Sequence, residues 1–221
     1  EAEQQGYPQQ SWVVADALRA LNYAPDAVRM ALSNAQGVQE AVRSLALDGK
    51  LSAELAELLL ADAPNQSGAT LGWAVEALGW TQAALDTLIE LPEAAQGALS
   101  ELWGHYHAIP EPAARYLLER HRAGQRLAPM TLAYLGASLG WEPALLREVV
   151  ADGAAVRHLA CCARRVSRSM PREAAEMILA AALGGAEQIE ETLTQVAAAF
   201  DWDRGLLERC GSNAAVREGI F

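Results

Sequence analysis

Apolar residues recur along this chain at helical intervals around four matched turns. Leu21-Asn22-Tyr23, Leu78-Gly79-Trp80, Leu139-Gly140-Trp141 and Phe200-Asp201-Trp202 follow one another at spacings of 57, 61 and 61 residues. Nine residues before each aromatic stands Val14, Leu71, Leu132 or Leu193, and five residues after it stands Val28, Leu85, Leu146 or Leu207. Leu18 and Val75 lie five residues before theirs. Matched spacings of this kind place one apolar stripe on each flanking helix.

Each turn has one physical grammar. An apolar residue ends a helix, and Asn22, Gly79, Gly140 or Asp201 follows, the residue types that best tolerate a left-handed stop. The aromatic packs back over the corner. A cap or first-turn position comes next, at Ala24-Pro25, Thr81, Glu142-Pro143 and Asp203. A third helix is predicted from Asn34, Pro92, Gly153 and Asn213, carrying Val38, Ala95, Val156 and Val216. A fourth is predicted from Leu51, Pro110 and Met170.

The unit is therefore about sixty residues long and holds four short helices, a period typical of helical repeats. The expected fold class is all-α, an α-solenoid-like array of three full copies and a partial fourth, fifteen helices in all. The expected organisation is a disordered segment over residues 1–10 and copies over 11–67, 68–127, 128–186 and 187–221, forming one continuous domain. "DAPNQSGA" (Asp62 to Ala69) and "HRAGQRLAP" (His121 to Pro129) are the loosest connections and mark copy boundaries. The 34-residue tetratricopeptide spacing and the ankyrin "TPLHxA" are both absent.

Composition agrees with helices. Apolar residues are 52 % of the 221 and aromatics 6 %, which favours small-residue helix packing over sheets. No run of about eighteen apolar residues occurs, so no membrane partner is expected. The net charge of −11 argues against general nucleic-acid binding. Three cysteines form no disulfide framework, which points to a reducing compartment or to no redox demand. The opening at Glu1, without Met or a signal-peptide pattern, reads as a cut or processed product. Lys50 is the one lysine against sixteen arginines. Codon bias of a GC-rich bacterial genome explains this more simply than a secreted effector avoiding ubiquitin in a host. The expected location is the cytoplasm, or a host cell after translocation.

Candidate chemistry is sparse. Glu101, His105 and His107, with Glu119 and His121, offer metal-ligand types without the usual helical ligand spacing, so no metal site is expected. "VRHLACCARRVSRSMPR" carries five arginines from Arg157 to Arg172 and no acid. Arg157, Arg164 and Arg168 share a helical face with Arg165 beside them, a surface able to clamp carboxylates or phosphates. A solvated face balanced by "EQIEE" (Glu187 to Glu191) is the plainer account of the same stripe. Cys161 shares that face and His158 is three residues away, but no orienting group or oxyanion site accompanies the pair. Small-residue packing explains Ala-Cys-Cys-Ala equally simply.

The corner aromatics recur at a structural joint and are expected in the core. Trp103 and Tyr106 fall outside the recurring pattern and are expected as exposed aromatic contacts. No phosphate loop, nucleophile elbow, dinucleotide fingerprint or zinc pair occurs, and no cofactor is expected. The functional expectation is a non-enzymatic protein-protein interaction module: a helical-repeat adaptor, effector domain or chaperone-like scaffold that binds a partner peptide or helix. Its expected contacts are Arg157, Arg164, Arg165, Arg168, Trp103 and Tyr106. The alternatives are a cysteine-dependent enzyme using Cys161 and His158, or a nucleic-acid backbone binder using the Arg157 to Arg172 stripe.

Overall fold

Helix starts and stops in this protein are set by local chemistry at short connections. The computed structural model describes residues 11–33, 35–151, 172–184, 196–205 and 208. Among them it is all-α, without a strand. The helices are α1 (Ser11–Ala20), α2 (Pro25–Leu32), α3 (Ala35–Leu47), α4 (Ala53–Ala61), α5 (Gly68–Ala77), α6 (Gln82–Ile89) and α7 (Pro92–Tyr106). They continue with α8 (Glu111–Arg122), α9 (Pro129–Ser138), α10 (Pro143–Ala151) and α11 (Arg172–Leu183). A short 3-10 turn, Ala63–Asn65, follows α4, and residues 196–199 are helical. The helices expected from Gly153 and from Asn213 lie outside the described residues. No helix among the described residues is long and apolar enough to cross a membrane.

Starts follow the expected chemistry in most places. Pro25 and Pro129 occupy the first turns of α2 and α9, where their fixed φ costs nothing. Ser52 and Ser67 each accept a hydrogen bond from the amide three residues on, Leu55 and Thr70. Thr81 departs from expectation: it sits at the N-cap of α6, yet its side chain makes no capping bond.

The four corners have the same backbone. The amides of Tyr23, Trp80, Trp141 and Trp202 donate to the carbonyls of Leu18, Val75, Gly136 and Ala197 at 2.8, 3.0, 2.9 and 3.0 Å. One residue earlier, Asn22, Gly79, Gly140 and Asp201 donate to Arg19, Glu76, Ala137 and Ala198. This nested pair of bonds closes the last carbonyls of each helix. Asn22, Gly79, Gly140 and Asp201 are left-handed, with φ of 47°, 65°, 66° and 51°. So are the aromatics themselves, at 54°, 58°, 62° and 53°. A left-handed aromatic costs about 1 kcal/mol or more, so ring packing must offset strain at every corner. At the third corner the Trp141 ring lies over Gly136, near enough that an added Cβ there would meet it at 3.8 Å.

The chain divides into two compact units, Glu1–Ala98 and Leu99–Phe221, with the boundary inside α7. In the first unit α5 is central. Thr70 to Val75 are six successive buried residues, which a helix shows only when covered on every side. α3 and α4 pack on α5, and α1 and α2 pack on α3. In the second unit α9 has the same character, with Thr131 to Gly136 buried. It lies between α8 and α10, and α11 packs on α10. The fully buried aromatics are Trp73, Trp103 and Tyr134, whereas Trp202 is 46 % exposed and Tyr23, Trp80 and Trp141 are half-buried. The corner rings therefore cover helix ends rather than fill the core.

Candidate interaction groove

The first corner builds a polar cluster that none of the other three has the residues to build. The turn that stops α3 holds Gly49 at a φ of +65°, and the Lys50 amide donates back to Leu45 O at 2.7 Å. That stop turns Asp48 and Lys50 toward Tyr23. The Tyr23 hydroxyl donates to the Asp48 carboxylate and stands 3.0 Å from Ser44 Oγ. Arg19 Nε donates to the same Asp48 oxygen at 3.1 Å. Lys50 Nζ lies 4.8 Å above the Tyr23 ring and donates to Asn22 Oδ1 at 3.1 Å. A cation over a ring face gains from the ring quadrupole. The hydrogen bonds from Tyr23 and then Arg19 hold the Asp48 carboxyl below its usual range. Burial first, and the bond to Asp48 second, push the Tyr23 hydroxyl up.

Beside this cluster an open groove of about 590 Å³ runs between α2 and α4. Val28, Leu32, Leu45 and Leu55 give it an apolar lining, and Arg29 and Lys50 stand on it as cations. Its described lining carries no carboxylate, in a chain with 28 acids and 17 bases. α2 contributes no buried residue at all. Val28 and Leu32 are partly covered, while Leu85 and Ile89, which stand 57 residues later on α6, are 2 % and 3 % exposed. Met30 and Leu58 are 70 % and 67 % exposed.

A second groove, of about 700 Å³, has the opposite charge. It is lined by Ala63, Pro64, Leu91 and Pro92 together with Glu90 and Glu93, and its described lining carries no cation.

The residues expected from sequence to make contacts separate. Arg157, Arg164, Arg165 and Arg168, with Cys161 and His158, lie outside the described residues. Arg172, at the end of that stripe, donates to Glu176 at 3.3 Å and stacks 4.9 Å over the Phe200 ring. Tyr106 is exposed and meets His105 edge-on, with ring centroids 4.7 Å apart. Trp103, expected beside it on the surface, is instead 1 % exposed. Its ring lies 5.4 Å from that of Tyr134, whose hydroxyl donates to Ser100 at 3.0 Å. Trp103 continues the buried stripe of Leu99 and Leu102 and is covered by Tyr134, whereas Tyr106 is the last residue of α7. Among the described residues no three of His, Cys, Asp and Glu gather in a way that could hold a metal. His121 has a different task, since its Nδ1 accepts the Leu127 amide at 3.2 Å and closes the turn after α8.

Lys50 and the groove were missed by the sequence reading, although a signal was present. "LALDGK" (Leu45 to Lys50) places Gly in a stop position directly after an acid and before the one lysine. These features define an all-α protein of short helices with two oppositely charged grooves in its first unit. No family model, no curated protein and no solved structure matches the chain.

Proposed function

We propose that this chain is a non-enzymatic interaction module, an α-solenoid-like array of about sixty-residue four-helix copies that receives a partner in the α2–α4 groove. One observation carries the reading. Val28 and Leu32 are only partly covered on α2, where their counterparts Leu85 and Ile89 on α6 are buried. Exposed apolar surface rimmed by polar groups is what interaction sites present. The four identical corners support a common building block, and stacked helical blocks offer extended binding surfaces. The stripe of Arg157, Arg164, Arg165 and Arg168 is a second contact in this reading, suited to acidic groups.

Site-specific crosslinking tests the proposal. A photoreactive phenylalanine analogue at position 32, and a control at exposed position 57 on α4, are irradiated in lysate of the source organism and of a host. A partner captured from position 32 and absent from 57 supports the module. Identical or empty patterns from the two positions count against it.

A further inference from the structure

We infer that the α2–α4 groove is a docking site for an acidic amphipathic helix of another protein. The helix would lay apolar side chains on Val28, Leu32, Leu45 and Leu55 and carboxylates on Lys50 and Arg29. This rests on the interaction-module reading and names the partner's chemistry.

Charge is the first ground. Among the described residues an acidic chain places two cations and no carboxylate on this lining, while a second groove carries two carboxylates and no cation. Opposite potentials across an interface set partner choice and encounter rate. Lys50 is also held in place. Its ammonium is fixed by Asn22 Oδ1 and the Tyr23 ring, near an Asp48 carboxylate that is already engaged by Tyr23 and Arg19, and it keeps further N–H donors for an incoming carboxylate. Such preorganisation lowers the entropy lost on binding. Among the described residues Arg29 pairs with Asp26, at 3.3 Å in a highly exposed pair, a contact worth little and readily exchanged.

The walls choose the partner's conformation. An extended strand needs an open sheet edge, and the described residues contain no strand. A proline-rich segment needs a row of open aromatic faces, and the one ring here, Tyr23, is already covered by Lys50. A helix needs only apolar residues at i, i+3, i+4 and i+7 between two helical walls. α2 has eight residues, roughly 12 Å of wall at the helical rise, which matches two to three turns of partner.

The test uses the full chain and three fluorescein-labelled peptides of about fourteen residues, long enough for the groove. The first is a helix with Leu at i, i+3, i+4 and i+7 and Glu on its flanks. The second carries Arg in place of Glu, and the third has two prolines at the centre of the first. Anisotropy titrations are expected to show saturable, salt-sensitive binding of the first, with the other two weaker by about tenfold or more. Lys50→Glu combined with Arg29→Glu should reverse the preference between the first two peptides. Lys50→Met with Arg29→Met, which keeps the aliphatic stems, should weaken the acidic peptide in a chain that still melts cooperatively, with only the small loss due to the Lys50 contacts to Tyr23 and Asn22. Equal binding of acidic and basic helices, or an unchanged affinity in the Glu double variant, overturns the inference. So does absence of saturation at about 1 mM peptide. A concentration-dependent dimer lost in Val28→Glu also overturns it, because the groove then belongs to a second copy. Capture from position 32 combined with failure of the acidic helix discards the acidic class and keeps the module. Failure of both discards both.

Discussion

Gly72 of α5 rests directly on Ala98 of α7: a Cβ added to Gly72 would stand 2.8 Å from the Ala98 carbonyl oxygen. Gly68, one turn earlier, is equally tight, its added Cβ 2.6 Å from Ala94 O and 2.8 Å from Gly97 Cα. These obstacles are backbone atoms, which cannot rotate aside. Gly72→Ala is therefore expected to lose about 1–3 kcal/mol or more of stability, the range for overpacking a close contact. Gly104 is the control. It lies in α7 with nothing near its added Cβ, so Gly104→Ala should gain about 0.5–1 kcal/mol from helix propensity alone. Denaturant melts of the two variants check both signs, and equal losses would refute the close crossing.

The corners make a second prediction. Gly79 and Gly140 have left-handed φ and open space around an added Cβ, so alanine there pays only for backbone strain. Each substitution should cost about 1 kcal/mol. Asp201→Gly should go the other way, gaining up to about 1 kcal/mol, because Asp201 holds the same φ with a side chain. Unequal costs at Gly79 and Gly140, beyond experimental error, would mean that the two corners are not alike.

The Tyr23–Asp48 pair predicts a pH window. Asp48 has a depressed folded pKa, so its contribution is present above the unfolded carboxyl value and is lost as pH falls below about 4. Tyr23 has a raised folded pKa, so its contribution is present below the unfolded phenol value and is lost as pH rises past about 10. Tyr23→Phe removes the hydroxyl that couples them. The variant should melt below the parent across neutral pH, and the gap should close at both extremes. A gap that is constant from pH 3 to pH 11 would show that the hydroxyl does not carry the effect.

The parts legible in the sequence were those decided locally. Asn22, Gly79, Gly140 and Asp201 were readable as left-handed stops because tolerance of that conformation belongs to the residue itself. The aromatics were not readable as left-handed, since propensity argues against it and only ring packing such as Trp141 on Gly136 overrides it. Trp103 was placed on the surface because its burial depends on Tyr134, thirty-one residues later. Gly68 and Gly72 stand four apart in the sequence, but their meaning comes from Ala94, Gly97 and Ala98 across the crossing. The groove was least legible. Lys50 reads as an oddity of composition until the turn at Gly49 brings it over Tyr23.

α5 and α9 start alike but differ in the residue that caps them. Thr70 and Thr131 are 61 residues apart, both buried, and both at the third position after an extended N-cap residue. In the first case the cap is Ser67, whose Oγ accepts the Thr70 amide at 3.2 Å and lies 3.0 Å from Thr70 Oγ1. In the second it is Ala128, which offers no side-chain oxygen, and Thr131 Oγ1 has no hydrogen-bond partner among the described residues. A buried hydroxyl left in that state costs about 1–3 kcal/mol. Ala128 already has the φ and ψ of a cap, −61° and 146° against −69° and 151° at Ser67. Ala128→Ser should therefore raise stability by about 1 kcal/mol through the restored cap, and more if the new oxygen also reaches Thr131. Thr131→Val, which removes the hydroxyl at constant shape, should be neutral or stabilising by itself. In the double variant the two gains should fall short of their sum, because each repairs the same buried group. Chemical denaturation of the four species measures that coupling. A loss above about 1 kcal/mol in Thr131→Val alone would show that the hydroxyl is already bonded.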